Sequence, residues 1–335
     1  MTSQNSKYCS WFCGLNFSSN NSYNDNFSYM GWHNNYDLVK LNLKNNFVKE
    51  HLFNAVKMWI EEFDIDGLRM DAADCMDMQF LQELSRYTKS INPNFFIFGE
   101  VVHGDYRRYV LEGELDSVTN YECYKGLFSS HNDINLFEIA YSLNRQFAWN
   151  GIYKNLPLYN FVDNHDVTRI SSIIKKEEYI YTIYGLLFTM PGIPSIYYGS
   201  EFGIKGIKLD KSDLELRPSI KNINNSPAKN NDLANIISRL AHIRKTNSSL
   251  KNGSYLQVYL NHSQFAFLRE NEEELILVVV NISNQNFSIN INYNFGRIIE
   301  FSDLLNKNEI LYSTQNSLYI ENLYPNWLRI LRTPK

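Results

Sequence analysis

Three carboxylic side chains each follow an apolar run: Asp71 ends FDIDGLRMD, Glu100 ends PNFFIFGE and Asp166 ends LYNFVDNHD. In a βα barrel such places are where a strand ends and a catalytic loop begins. In the first run the apolar positions are Ile65, Leu68 and Met70, and Arg69 stands two residues before Asp71 on the same face of a strand with a period of two. Arg69 is therefore placed to pair with Asp71. In the second, Phe95, Phe96, Ile97 and Phe98 lead through Gly99 to Glu100, so this carboxyl group emerges from an apolar wall, a setting that suits a general acid. In the third, His165 adds a hydrogen-bonding ring beside Asp166. Two carboxyl groups about 5–5.5 Å apart across a glycosidic bond make a retaining glycosidase, one as nucleophile and one as acid/base. A third can hold the hydroxyls of the reacting sugar.

Each residue taken alone has a plainer reading, since an Asp or Glu after a strand is commonly a helix N-cap or a loop carboxylate. Three strand-end carboxylates with an Arg and a His, separated by helix-bearing stretches, fit one barrel mouth better than three unrelated caps. Together with GIPSIYYGSEFG at 192–203 and YDLVKLNLKN at 36–45, the ordered segments resemble those of the α-amylase family, glycoside hydrolase family 13. The resemblance spans residues 8–335. From GxRxDAA it implies a subsite-binding arginine at Arg69 and the nucleophile at Asp71. From the Glu-ended strand it implies the acid/base at Glu100, and from NHD a substrate-binding His165 and a transition-state-stabilising Asp166. In the segment from Gly192 to Glu201 it implies structural roles for Gly199 and Glu201, and Leu41 and Asn42 form the core of the 36–45 motif.

The fold implied is α/β, a (β/α)8 TIM barrel of the α-amylase type followed by an all-β C-terminal sandwich. Members of the family open with three barrel strands, the third ending in DxxxNH, whose Asp and His help build the −1 subsite; no such motif precedes residue 60 here. SKYCSWFCG at 6–14 resembles the SxYxDWF stretch that follows that third strand. The expectation is an incomplete barrel with the first three βα units absent and five strands, near 66–71, 95–100, 116–121, 158–163 and 193–198. Such a barrel leaves sheet edges unpaired, and a separate polypeptide supplying the first strands is an expected partner. Where calcium-dependent members carry Lys-His after GLRMDAA, Asp74 and Cys75 stand here. The motifs therefore give no support for calcium, no cofactor or metal is expected, and maltodextrin or oligosaccharide specificity is favoured over long starch. The expected function is retaining hydrolysis of α-1,4-glucosidic bonds in maltodextrins. Two alternatives stay open: a catalytically impaired or carbohydrate-binding remnant, and an α-glucan transferase that shares the covalent intermediate.

The elements that must position these residues follow from periodicity. Residues 46–63, with Phe47, Leu52, Val56, Trp59, Ile60 and Phe63 near helical spacing, predict an amphipathic helix leading into the Asp71 strand, and 80–91, 134–149, 177–190 and 232–246 read alike. From Ser254 short β-branched or aromatic runs alternate with Asn, Ser, Gly and Pro, the pattern of an all-β domain. The expected division is a domain-B remnant and linker at 1–45, a partial barrel at 46–250 and the β-sandwich at 251–335. The loop 204–231, holding LRPSI and the NINNSPAKNN tract, reads as polar and mobile, with no binding role.

At 335 residues, 44% hydrophobic and 15% aromatic, the chain has material for a core beyond one ordinary domain. Its net charge of −4 excludes a basic nucleic-acid face. The N-terminus lacks a basic region followed by an apolar one and no run of 18 apolar residues occurs, so no membrane and a cytoplasmic location are expected. Cys9, Cys13, Cys75 and Cys123 lack zinc-type spacing and read as thiols. Trp11, Trp32 and Tyr36 are candidates for stacking on sugar rings and His103 for a hydroxyl contact. Tyr197 and Tyr198 read as packing, and Arg169 as pairing with an acidic neighbour or touching substrate.

Overall fold

The computed structural model describes residues 4–224, 230–307 and 309–335, and the chain forms two compact units, one up to Val118 and one from Thr119. In the first unit, β1 (Gly31–Trp32) and β2 (Asn35–Val39) form an antiparallel hairpin. His33 and Asn34 at its tip both have positive φ, 46° and 64°, the backbone pattern of a two-residue type I′ turn whose twist matches that of the flanking strands. α1 (Asn46–Phe63) starts where the Asn45 side chain accepts the Phe47 amide and stops at Asp64 in the left-handed region. β3 (Gly67–Met70) follows, and then α2 (Met78–Ile91), capped by Asp77. Phe53 of α1 stacks on Tyr87 of α2 with centroids 5.0 Å apart. β4 (Phe96–Gly99) and β5 (Ser117–Val118) complete a parallel sheet in the order β3-β4-β5. Gly67 is required by the close approach of these strands: a Cβ there would meet the Phe96 carbonyl oxygen at 2.1 Å.

The second unit opens with α3 (Tyr121–Asn132), capped by Asn120, and α4 (Phe137–Phe147). β6 (Tyr159–Asn160), α5 (Ile170–Ile173), α6 (Tyr179–Thr189) and β7 (Ile193–Pro194) come next. β6 and β7 pair in parallel, and Thr119 bridges Tyr159 in the same sense. α7 (Ile220–Asn224), α8 (Asn231–Thr246) and α9 (Ser248–Asn252) lead to the β-rich end of the chain. There β8 (Ser254–Leu260), β9 (Gln264–Glu270), β10 (Glu274–Asn281), β11 (Phe287–Asn292), β12 (Glu300–Asp303), β13 (Ile310–Tyr312), β14 (Ser317–Leu323) and β15 (Trp327–Pro334) make two antiparallel sheets, ordered β13-β12-β15-β10-β9-β8 and β11-β14. Leu277 and Val279 of the larger sheet share one apolar core with Ile289, Ile291, Leu318 and Ile320 of the smaller. β10 and β9 are buried almost throughout, as strands covered on both faces must be.

Every run read as a barrel strand contributes a parallel strand, but each is shorter than expected. The run 116–121 is cut short because Asn120 caps α3, a helix missing from the sequence reading. Its buried face carries Ser130 and His131 among the apolar residues, and polar residues on the inner face hide the apolar stripe that marks a helix. The loop 204–231 also departs from its reading. Residues 225–229 of the Asn-rich tract lie outside the described residues, but Ile204 and Leu216 before it and Ile223 at its start are buried, so the loop up to Ile223 is anchored. Among the described residues no helix is long and apolar enough to cross a membrane.

Two buried titratable groups of the second unit oppose each other. His131 donates from Nδ1 to the Leu127 carbonyl at 2.7 Å and has Nε2 3.0 Å from the Thr182 hydroxyl; burial pushes its pKa from 6.5 down to about 4. Its stabilising contribution is present above pH 6.5 and is lost as pH falls towards 4, because the unfolded chain binds the proton first. Asp163 accepts from the Ser200 hydroxyl and the Ile170 amide, yet burial pushes it up to about 6. Its contribution is full below pH 3.8 and is lost as pH rises through 6. In urea titrations the stability advantage of wild type over His131→Gln should shrink by about 1.4 kcal/mol per unit as pH falls from 6.5 to 4. Relative to Asp163→Asn, wild type should instead gain as pH falls through 6. Parallel pH profiles for wild type and either variant would show that the corresponding assignment is wrong.

Candidate active site

In the first unit β3 and β4 pair in register, Met70 opposite Gly99, so the residues immediately after them, Asp71 and Glu100, leave the sheet side by side. Arg69 spans the pair, with Nη1 2.7 Å from Asp71 Oδ1 and Nη2 3.0 Å from Glu100 Oε1. The turn after Asp71 closes onto the same carboxyl group. Ala72, at φ 46°, donates its amide to Glu100 Oε2 at 3.2 Å, and Ala73 donates to the Glu100 carbonyl at 3.0 Å. A left-handed alanine costs on the order of 1 kcal/mol, which these two bonds offset. Gly99 is needed for this packing, since a Cβ there would meet Ala73 Cβ and Leu115 Cδ1 at 2.8 Å.

The two carboxylates differ in exposure. The Asp71 side chain is 78% exposed and that of Glu100 only 12%. The apolar run before Glu100 divides by face: Ile97 and Val101, on the opposite face of the strand, are fully buried, whereas Phe96 and Phe98, on the face of Glu100, are only partly so, and the carboxyl group itself is met by a guanidinium and an amide. Beside Asp71 lies a cavity of about 1100 Å³, lined by Trp32, His33, Arg69, Asp71 and Cys75 and by apolar residues of α1 and α2. Trp32 is the sugar-stacking candidate that reaches it. Trp11 packs on His51 and Tyr36 on Tyr29 and Tyr23, so both serve packing. His103 is exposed. Cys75 Sγ lies 3.7 Å from His33 Nε2, which ties the hairpin tip to the turn after Asp71. All four cysteines are free.

In the second unit the structure brings His165 and Asp166 together, with Nε2 2.9 Å from Oδ2. The Asn164 side chain accepts the Asp166 amide at 2.8 Å and fixes the loop. Arg217 Nη2 reaches Asp166 Oδ1 at 3.1 Å and its Nε donates to the His165 carbonyl at 3.3 Å, while Lys208 Nζ donates to the Asp166 carbonyl at 2.8 Å. Arg217 and Lys208 are absent from the sequence reading because both sit in the loop taken as polar and without a role; the only signal was the LRPSI run standing apart from the Asn-rich tract. Asp163 was also missed. Its carboxylate anchors Ser200 and the start of α5, and so holds the loop carrying His165 and Asp166.

Of the two readings of Arg169, the structure favours the acidic neighbour, since its charge acts on Asp163. Arg169 is fully buried, donates to the Tyr198 and Leu216 carbonyls and the Ser200 hydroxyl, and lies 4.0 Å over the Tyr197 ring. It clamps the segment after β7 and has no surface for substrate. Tyr197 and Tyr198 pack edge to face, 4.7 Å apart, as read. Gly199 has φ 85°, in keeping with a turn. Among the described residues no three His, Cys, Asp or Glu side chains are grouped to hold a metal ion.

Comparison with known proteins identifies the family of the chain. The sequence model of the α-amylase catalytic domain matches residues 2–235. A maltogenic α-amylase of Bacillus acidopullulyticus is 29% identical over 286 residues, covering 82% of this chain and 46% of that protein. A cyclomaltodextrinase of Thermoanaerobacter pseudethanolicus is 29% identical over 293 residues, covering 84% and 49%. The chain thus spans about half the length of these curated relatives. The crystal structure of a debranching enzyme from Nostoc punctiforme superposes with a TM-score of 0.78 at 24% identity, covering 98% of this chain and 71% of that one, a likeness of fold. With the motif residues Arg69, Asp71, Glu100, His165 and Asp166 placed as described, the chain belongs to the α-amylase catalytic-domain family.

Proposed function

We propose that this chain carries the catalytic carboxylates of a retaining hydrolase of α-1,4-linked maltodextrins. The observation that supports it most is the single guanidinium of Arg69 spanning Asp71 and Glu100 at adjacent strand ends, since a retaining mechanism requires two carboxyl groups close enough to serve one bond. Exposure divides the roles: the open Asp71 attacks the anomeric carbon and the enclosed Glu100 protonates the leaving glycosidic oxygen. The C–O bond breaks as the Asp71 ester forms, and Glu100 then takes a proton from the water that hydrolyses the ester. Asp166 and His165 hold sugar hydroxyls. The domains in this reading are 1–45, the catalytic part 46–250 and a β-sandwich at 251–335, and the barrel is incomplete within these residues. β3 is the edge of its sheet among the described residues, and we assign the remaining −1 subsite groups to βα units outside them, which a separate polypeptide can supply.

Reducing-end release from maltotriose, with and without added maltose as acceptor, tests the reading on the chain alone and on the chain complemented with the first three βα units of a relative. Activity should be feeble alone and rise on complementation, and Asp71→Asn or Glu100→Gln should remove at least about 10³-fold of it. Activity surviving Asp71→Asn would show the nucleophile to be misassigned, and products dominated by transfer to maltose would make the enzyme a transferase.

Arg217 should act as a positioning residue. Arg217→Ala is expected to lower kcat by roughly tenfold or more with little change in KM or melting temperature, because Arg217 is half exposed, its pair with Asp213 is a solvent-facing one, and its other partners are the Asp166 carboxylate and the His165 carbonyl. A loss confined to KM would assign Arg217 to substrate binding instead.

A further inference from the structure

A concentration of positive charge in the second unit lies away from the residues of the proposed mechanism. A cavity of about 580 Å³ is lined by Lys154, Lys251, Arg244 and Arg269, together with Gly192 and other uncharged residues, and among the described residues no carboxylate lines it. Arg244 and Arg269 are 8% and 1% exposed, and each points at backbone carbonyls only. Arg244 donates to Phe188, Met190 and Gly192, and Arg269 to Thr189, Gly253 and Ser254. Gly192 reaches its guanidinium through a backbone at φ 104° that an L side chain rarely adopts.

The plain explanation is that both guanidiniums cap the C-terminal end of α6, which ends at Thr189. That explanation covers part of the charge. Arg269 also meets the Gly253 and Ser254 carbonyls just past the end of α9, and two helix ends offer at most about half a negative charge each, against two buried positive ones. The two also repel each other: burial pulls Arg269 down to about 9, with Arg244 adding to the shift, and burial alone pulls Arg244 down to about 10. No acidic side chain features among the causes acting on either. Each guanidinium uses three bonds of the five N–H groups it carries. Two exposed ammonium groups stand at the same cavity.

We propose that this cavity binds a phosphate-type oxyanion. Planar guanidinium forks match tetrahedral oxyanions, and four cations with no acid suit a dianion better than a monocarboxylate. The volume exceeds what inorganic phosphate needs and admits a hexose phosphate. The site is independent of the proposed hydrolase function, and its test does not use activity.

The test is isothermal titration of the full chain at pH 7 and constant ionic strength with inorganic phosphate, glucose 6-phosphate and glucose as probes, read beside melting temperature. Saturable one-to-one binding of phosphate, on the order of millimolar or tighter, is expected, with a rise in melting temperature and no response to glucose. Tighter binding of glucose 6-phosphate than of phosphate would identify the sugar phosphate as the better ligand, and the reverse would identify the free ion. Lys154→Gln with Lys251→Gln, both at the rim and outside the α6 cap, should weaken binding at least about tenfold with the uncomplexed melting temperature unchanged. No saturable heat for either anion up to about 50 mM, or equal affinity in the double variant, would overturn the proposal and leave the two arginines as helix caps alone.

Discussion

The in-register parallel pairing of β3 with β4 is the constraint on which the first unit depends. Parallel neighbours present their ends at the same edge, so Met70 opposite Gly99 sets Asp71 beside Glu100 with no loop to adjust. Two carboxylates side by side repel, and an exposed Arg–Asp pair contributes little by itself. Arg69 answers this by serving both groups at once, and the Ala72 amide adds a further donor to Glu100. The small residues of the motif follow from the same constraint. Ala72 must take a left-handed backbone and Ala73 must lie against Gly99, so larger side chains at either place would push the turn off the strand ends.

The second unit reaches a similar result by other means. His165 and Asp166 stand on a loop, and a loop carries no strand register to hold them. Their positions come from side chains contributed by distant segments: Asn164 to the Asp166 amide, Arg217 to both residues, Lys208 to the Asp166 carbonyl, and Asp163 with Ser200 beneath. Keeping Asp163 buried is costly, as its raised pKa shows, and that cost is the usual accompaniment of a polar anchor placed under a functional loop.

What is legible in the sequence divides along this line. Asp71, Glu100 and Arg69 can be read directly, because an apolar run with a period of two announces a strand and its end. α1, α2, α4, α6 and α8 are legible from apolar residues at helical spacing. α3 is not, because Ser130 and His131 occupy its inner face and are satisfied by hydrogen bonds there. Arg217 and Lys208 are not, because their contacts with His165 and Asp166 reach across some forty to fifty residues and no local pattern marks them; the local Arg217–Asp213 pair does not reveal them either. The hairpin tip is hidden for a related reason: His33 and Asn34 adopt the conformation that glycine usually signals.

Three buried arginines show why residue type alone does not separate scaffold from site. Arg169, Arg244 and Arg269 all give N–H groups to backbone carbonyls, and of the three only Arg169 stands out in the sequence. Arg169, however, has Asp163 close enough to lower that carboxyl group's pKa, and the Tyr197 face takes up its other side. Its charge is answered from within the fold, and its role ends as a clamp. Arg244 and Arg269 meet the carbonyls at the ends of α6 and α9 and, for Arg269, the Tyr255 ring hydroxyl's field, and no carboxylate among the described residues features among the causes acting on them. Since burying an unmatched charge is among the costlier features a fold can keep, the asymmetry between these arginines, more than their burial, is what distinguishes the clamp from the pair at the cavity.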